Sequence, residues 1–63
     1  MKRRDLERHL RDRDCQPIRE GGNHTIWGRG DRLAPMPRHR ELGPGVVRTI
    51  CNQLDVDPPL SAL

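Results

Sequence analysis

Two glycine-containing turns divide the middle of this chain into three short segments. The first turn signal is Gly21-Gly22 and the second is the run Gly28–Asp31, about eight residues later. Turns at this spacing are typical of short antiparallel strands that follow one another directly. The sequence therefore predicts a three-stranded meander over residues 16–20, 23–27 and 32–36.

The prolines in this region restrict how the predicted strands can pair. Pro17, Pro35 and Pro37 lack a backbone N–H and cannot donate to a strand ladder. The first and third strands are therefore expected to be sheet edges or irregular.

A helix is predicted on each side of the meander. Residues 3–14 contain no Gly or Pro, and Leu6 and Leu10 lie one turn apart on one face. Residues 42–54 carry Pro44 at a position suited to a helix start. The apolar stripe of this second helix consists of Val46, Val47, Ile50, Cys51 and Leu54.

The order helix, three strands, helix favours a two-layer α+β fold. Because each helix has a single apolar face, both are expected to cover the same face of a three-stranded antiparallel sheet. This α-β-β-β-α topology is shared by double-stranded-RNA-binding domains. We expect one domain over residues 1–56 and a loose C-terminal tail over residues 57–63.

Length and charge limit the classes of function. A chain of 63 residues is too short for a dinucleotide-binding fold or a barrel, and no apolar run approaches the roughly 20 residues of a membrane span. The net charge is +3, and eleven of the twelve cationic side chains are Arg. Arginine suits bidentate contact with phosphate, so nucleic acid is one expected partner. A soluble surface of mixed charge fits the composition equally well.

The N-terminal residues and the cysteines carry weaker signals. No hydrophobic stretch follows the basic start at residues 1–4, which argues against a secretory signal. Cys15 and Cys51 are isolated, and we expect them to be reduced and half-buried. With His24 and His39 they have the ligand types of a zinc site, but their spacing matches no zinc-finger pattern, so no metal is predicted.

His24 is the strongest candidate for chemistry. It lies at the start of the predicted strand that follows Gly21-Gly22, which places its ring at a sheet end near solvent. An imidazole can take and give a proton near neutral pH. RNA cleavage needs such a base for the ribose 2′-hydroxyl, and cations for the phosphorane charge. A lone strand histidine is more often a surface or packing residue, so this pattern alone does not select a catalytic role.

The roles of Trp27 and His39 are open on sequence grounds. Alternation places His24 and Ile26 on one face of the strand and Trp27 on the other. Trp27 either stacks on a base or fills the core, and the scarcity of aromatic residues favours the core. His39, between two arginines, is a phosphate contact, a second acid or, as we favour, a simple loop residue.

Three short motifs occur in a fixed order along the chain: Gly22-Asn23-His24, Pro37-Arg38-His39 and Gly43-Pro44-Gly45. By this order and by length, residues 1–56 resemble the HicA family of small toxins from bacterial and archaeal toxin–antitoxin pairs. Thr25 stands where that family frequently has a second histidine.

The resemblance implies an activity and a set of partners. HicA proteins are metal-independent endoribonucleases (mRNA interferases) that cleave messenger RNA without a cofactor, and the position of their catalytic histidine corresponds to His24. A HicB-like antitoxin is expected to cover that histidine, with DNA bound only indirectly through the antitoxin complex and with a cytoplasmic location. The residues expected to contact RNA are Lys2, Arg3, Arg4, Arg19, Asn23, Thr25, Arg38 and His39.

Two other classes of function remain open on the sequence. One is a non-catalytic RNA-binding module of the same fold, which binds RNA without cleaving it. The other is an interaction-only remnant that binds the antitoxin alone.

Overall fold

The computed structural model describes residues 1–60 and contains two helices and three strands. In chain order these are α1 (Arg3–Arg11), β1 (Gln16–Glu20), β2 (His24–Arg29), β3 (Arg32–Pro37) and α2 (Pro44–Gln53). The strands form one antiparallel sheet in the order β1-β2-β3. The predicted α+β fold, with its double-stranded-RNA-binding-domain-like order, is confirmed.

An aspartate with a left-handed backbone follows each helix within three residues. Asp14 has a φ of 65° and Asp55 a φ of 58°. After each of them the chain bonds back across the last helical turn, from the Cys15 N–H to the Leu10 carbonyl at 3.0 Å and from the Val56 N–H to the Cys51 carbonyl at 2.9 Å. A hydrogen bond of this kind needs a residue in the left-handed conformation just before it, and that residue is usually glycine. The first of these bonds ends α1 at Arg11, three residues before the predicted end.

The core lies on one face of the sheet. Alternation along β2 places Trp27 on this face, and the side chain is 0% exposed. Residues from both helices and from β3 pack in the same cluster, namely Leu6, Leu10, Ala34, Met36, Val47, Ile50, Cys51 and Leu54. Both helices therefore cover one face, as predicted, and Trp27 has the packing role.

The other face of the sheet is open. His24 is exposed and Ile26 half-buried on this face, where they pair across the ladder with Pro37 and Pro35. Because the prolines of β3 and of β1 cannot donate from the sheet edges, edge-to-edge association with another strand is disfavoured.

A bulge in β1 explains the one glycine inside a strand. The register shifts between Pro17 and Arg19, so Ile18 has no partner opposite it. A Cβ built on Gly28 would lie 2.7 Å from the Cγ1 of Ile18 and 3.2 Å from the Cδ2 of Leu33. Glycine is needed here because the side chains of Ile18 and Leu33, on the two neighbouring strands, occupy the space where a Cβ would lie.

The N-terminal residues pair with the loop before α2, which the sequence pattern did not predict. Lys2 forms an isolated antiparallel bridge with Glu41. The Arg3 N–H donates to the Arg40 carbonyl at 2.8 Å, and the Leu42 N–H donates to the Met1 carbonyl at 2.8 Å. The bridge holds the basic residues 2–4 beside Arg38 and Arg40, which follow β3.

Part of the predicted C-terminal tail is in contact with the domain. From that tail, the Asp57 carbonyl oxygen lies 2.7 Å from the His9 Nε2, and Val56, the last residue of the predicted domain, packs against the core. Leu60 is exposed, and the remainder of the predicted tail, residues 61–63, lies outside the described residues. Within residues 1–60 no helix has both the length and the apolarity to cross a membrane.

Candidate functional site

His24 and His39 line the same surface depression. The depression has a volume of about 490 Å³, and the antiparallel register brings its two sides together by pairing His24 with Pro37. Both histidines are exposed, and neither ring makes a hydrogen bond to any residue in 1–60. The ring nitrogens of both side chains therefore remain available to a ligand. The lining residues are Gly22, Asn23, His24, Pro37, Arg38 and His39.

A second depression beside the first is lined by cations alone, and we call it the cation pocket. Its volume is about 540 Å³, and its lining residues are Lys2, Arg3, Arg4, Arg38 and Arg40. Arg38 lines both depressions, which are therefore adjacent. Several cationic side chains around one space suit a phosphate group.

The bridge between Lys2 and Glu41 creates the cation pocket. It brings the basic N-terminus against Arg40, a residue outside the RNA contacts expected from the sequence. A bridge of this kind joins distant segments and has no periodic signal in the sequence.

A larger depression of about 780 Å³ lies along α2 and residues 55–58, but neither His24 nor His39 lines it.

Arg38 is bonded to the turn that precedes His24. Its Nη1 donates to the Gly22 carbonyl at 2.6 Å. Its Nη2 donates to the Gly21 carbonyl at 2.8 Å, to the His24 carbonyl at 3.4 Å and to the Glu20 Oε1 at 2.5 Å. The guanidinium thus contacts the backbone on both sides of the turn.

Glu20 is the charged partner of Arg38. The hydrogen bond from Arg38, together with a second one from Thr25, lowers the pKa of the Glu20 carboxyl. The carboxylate is therefore ionised at neutral pH and keeps its attraction for the guanidinium.

Thr25 lies on the covered face of the sheet, opposite to His24. It is 2% exposed, and its hydroxyl donates to the Glu20 Oε1 at 2.9 Å and accepts from the Arg3 Nη2 at 3.4 Å. A side chain buried in this way does not reach RNA. The expected RNA contact of Thr25 is therefore corrected to a role in positioning Glu20 and Arg3.

The remaining predicted contacts fall into two groups and one outlier. Lys2, Arg3 and Arg4 line the cation pocket, and Asn23 and His39 line the depression that contains His24, which we call the histidine depression. The outlier is the exposed Arg19, which pairs with Ile26 on the open face and lines neither depression.

The family of this chain follows from its sequence match. A scan against protein-family models matches residues 3–56 to the family described as "HicA toxin of bacterial toxin-antitoxin". The chain belongs to the HicA family. This HicA chain is accordingly a toxin of a toxin–antitoxin pair. Neither a search of curated proteins nor a search of solved structures returned a match to it.

The thiols of this HicA chain are poor candidates for nucleophiles. Cys15 and Cys51 are both free and buried in the core. Burial raises the pKa of each thiol, so both are protonated at neutral pH, the less reactive form. Among the residues described, no three His, Cys, Asp or Glu side chains come together as a potential metal site.

Proposed function

We propose that this HicA toxin is a metal-independent endoribonuclease that cleaves messenger RNA, with His24 as a general acid–base group. One observation carries the proposal: two exposed histidines, with ring nitrogens not bonded within residues 1–60, share a depression that adjoins a pocket lined only by cations. Proton transfer and phosphate binding, the two requirements of RNA cleavage by transesterification, then lie side by side.

The proposed reaction needs one base and one acid. The neutral His24 ring takes the proton of a ribose 2′-hydroxyl, and the 2′-oxygen bonds to the adjacent phosphorus. The bond from phosphorus to the 5′-oxygen breaks, and that oxygen receives a proton from the charged form of His39. The products are a 2′,3′-cyclic phosphate and a 5′-hydroxyl, so atoms and charges balance without a further reactant.

The cation pocket supplies the electrostatic part of this scheme. A phosphate of the RNA chain bound there carries the scissile group into the adjoining histidine depression. The side chains of Lys2, Arg4 and Arg40 are exposed, and we assign them to that phosphate. Because the phosphate held there is not the one that reacts, the pocket binds the substrate and the transition state about equally, and it therefore lowers KM rather than raising kcat.

The proposed partner is a HicB-like antitoxin that covers His24. A protein that seals this surface must face the cation pocket, and acidic residues would complement it. Contact with DNA would arise only through that complex, and the pair would act in the cytoplasm, where messenger RNA is found.

Cleavage of RNA by the purified chain in EDTA tests this function against the binding-only alternative. We expect the wild type to shorten a single-stranded RNA with the chelator present, because the scheme uses only side chains. An RNA-binding module would bind the same RNA with an affinity that falls with salt and would leave it intact. Intact RNA after prolonged incubation with properly folded protein would contradict the proposal.

A further inference from the structure

We infer that Arg38 is a positioning residue that holds the turn presenting His24, rather than a ligand for RNA phosphate. The inference rests on the proposed function, since it concerns how the proposed base is held in place. It revises the role that the sequence suggested for Arg38, which was direct contact with RNA.

The bonding of Arg38 differs from that of a free surface arginine. Four oxygens from four residues converge on its two terminal nitrogens, at distances between 2.5 and 3.4 Å. Three of these oxygens are backbone carbonyls of the turn, from Gly21, Gly22 and His24. Carbonyl oxygens that point at one place repel each other unless a cation lies between them, so the turn conformation depends on the guanidinium.

The turn itself has little else to hold it. A Cβ built on Gly22 would meet nothing within 4 Å, so the space on that side of the turn is open. One backbone hydrogen bond closes the turn, from the Gly21 N–H to the His24 carbonyl at 2.8 Å. Two consecutive glycines have large conformational freedom, and His24 follows them after one residue. Without Arg38, the ring of His24 would sample a wider range of positions.

Arg38 is in turn anchored to the core. Its carboxylate partner Glu20 accepts a second hydrogen bond, at 2.9 Å, from the hydroxyl of the buried Thr25. The same hydroxyl accepts from Arg3 of α1 at 3.4 Å. A continuous set of contacts therefore connects α1 and the covered face of β2 to the turn. Because these elements are fixed by packing, the contacts can hold His24 in one position.

Arg40 provides a matched control for Arg38. Both are exposed arginines that line the cation pocket, but Arg40 makes no side-chain hydrogen bond within residues 1–60. Arg38→Met and Arg40→Met each remove one positive charge from the same pocket, and only the first removes the contacts to the turn. The comparison thus separates loss of charge from loss of position.

The kinetic experiment measures kcat and KM for RNA cleavage by these variants. We expect Arg38→Met to lower kcat by about 10- to 100-fold, since misplacement of a catalytic group by about 1 Å can cost 100-fold. Arg40→Met should raise KM several-fold and leave kcat within about twofold of the wild type. Arg38→Lys should recover much of the lost kcat, because an ammonium can donate three hydrogen bonds to the converging oxygens.

A second readout does not depend on activity. The Gly21 N–H reports the closed turn, and its hydrogen exchange should become about tenfold faster or more in Arg38→Met while staying unchanged in Arg40→Met. Equal kinetic effects of the two methionine variants, with unchanged exchange, would overturn the inference. A wild type that binds RNA without cleaving it would overturn the proposed function instead, and the exchange comparison would still decide whether Arg38 holds the turn.

Discussion

Replacing His24 with alanine is expected to lower the rate of RNA cleavage by about 10²- to 10⁴-fold, which is the usual contribution of a positioned acid–base group to the rate. The fold should be unaffected, because the side chain is exposed on the open face of the sheet and its ring makes no hydrogen bond within residues 1–60. Growth arrest on induced expression should disappear with the activity. The measurement is the single-turnover rate at saturating protein, with circular dichroism to confirm the fold.

His9→Ala is the control for this experiment. His9 lies on α1 and bonds the carbonyl of Asp57 at 2.7 Å, and it lines neither the histidine depression nor the cation pocket. Its loss should leave the single-turnover rate unchanged. The free energy of unfolding should fall only slightly, because one hydrogen bond is lost. Wild-type cleavage by His24→Ala would remove the catalytic assignment.

Replacing Trp27 with alanine is expected to remove a large part of the protein's free energy of unfolding and to lower the midpoint of its urea unfolding. Removal of a large buried aromatic side chain costs about 3–5 kcal/mol. A domain of 63 residues has a total stability of about 3–9 kcal/mol. Trp27 is the largest of the fully buried side chains described, so alanine would leave a large cavity in the core.

Trp27→Phe separates the packing role from any polar or RNA-binding role. The Trp27 Nε1 has no hydrogen-bond partner among the described residues, so phenylalanine removes a polar atom that contributes no bond. This variant should fold, lose about 1–2 kcal/mol in urea unfolding followed by circular dichroism, and keep its cleavage rate. A Trp27→Ala protein as stable as the wild type would contradict the burial of the ring.

Local patterns predicted most of the fold. The positions of glycine and proline predicted the three strands. The leucines of α1 and the apolar stripe of α2 predicted the two helices. Alternation along β2 correctly separated His24 from Trp27. It could not say which face was covered, because that depends on where two distant helices pack.

The candidate site was less accessible to prediction, because it is built from long-range contacts. The bridge between Lys2 and Glu41 brings Arg40 into the cation pocket, although no periodic pattern joins these residues. The contacts of Arg38 with the glycine turn are likewise set by the register of three strands. Residue types suggested phosphate binding for Arg38, and only the geometry revealed that both of its terminal nitrogens already donate to the turn or to Glu20.

The mass of the RNA fragments formed in EDTA tests the central claim most directly. If His24 activates a ribose 2′-hydroxyl, each cut must leave a 2′,3′-cyclic phosphate, or the 3′-phosphate from its hydrolysis, and a 5′-hydroxyl. Fragments with 5′-phosphate and 3′-hydroxyl ends would mean that water, not the ribose, attacks phosphorus, and would contradict the account.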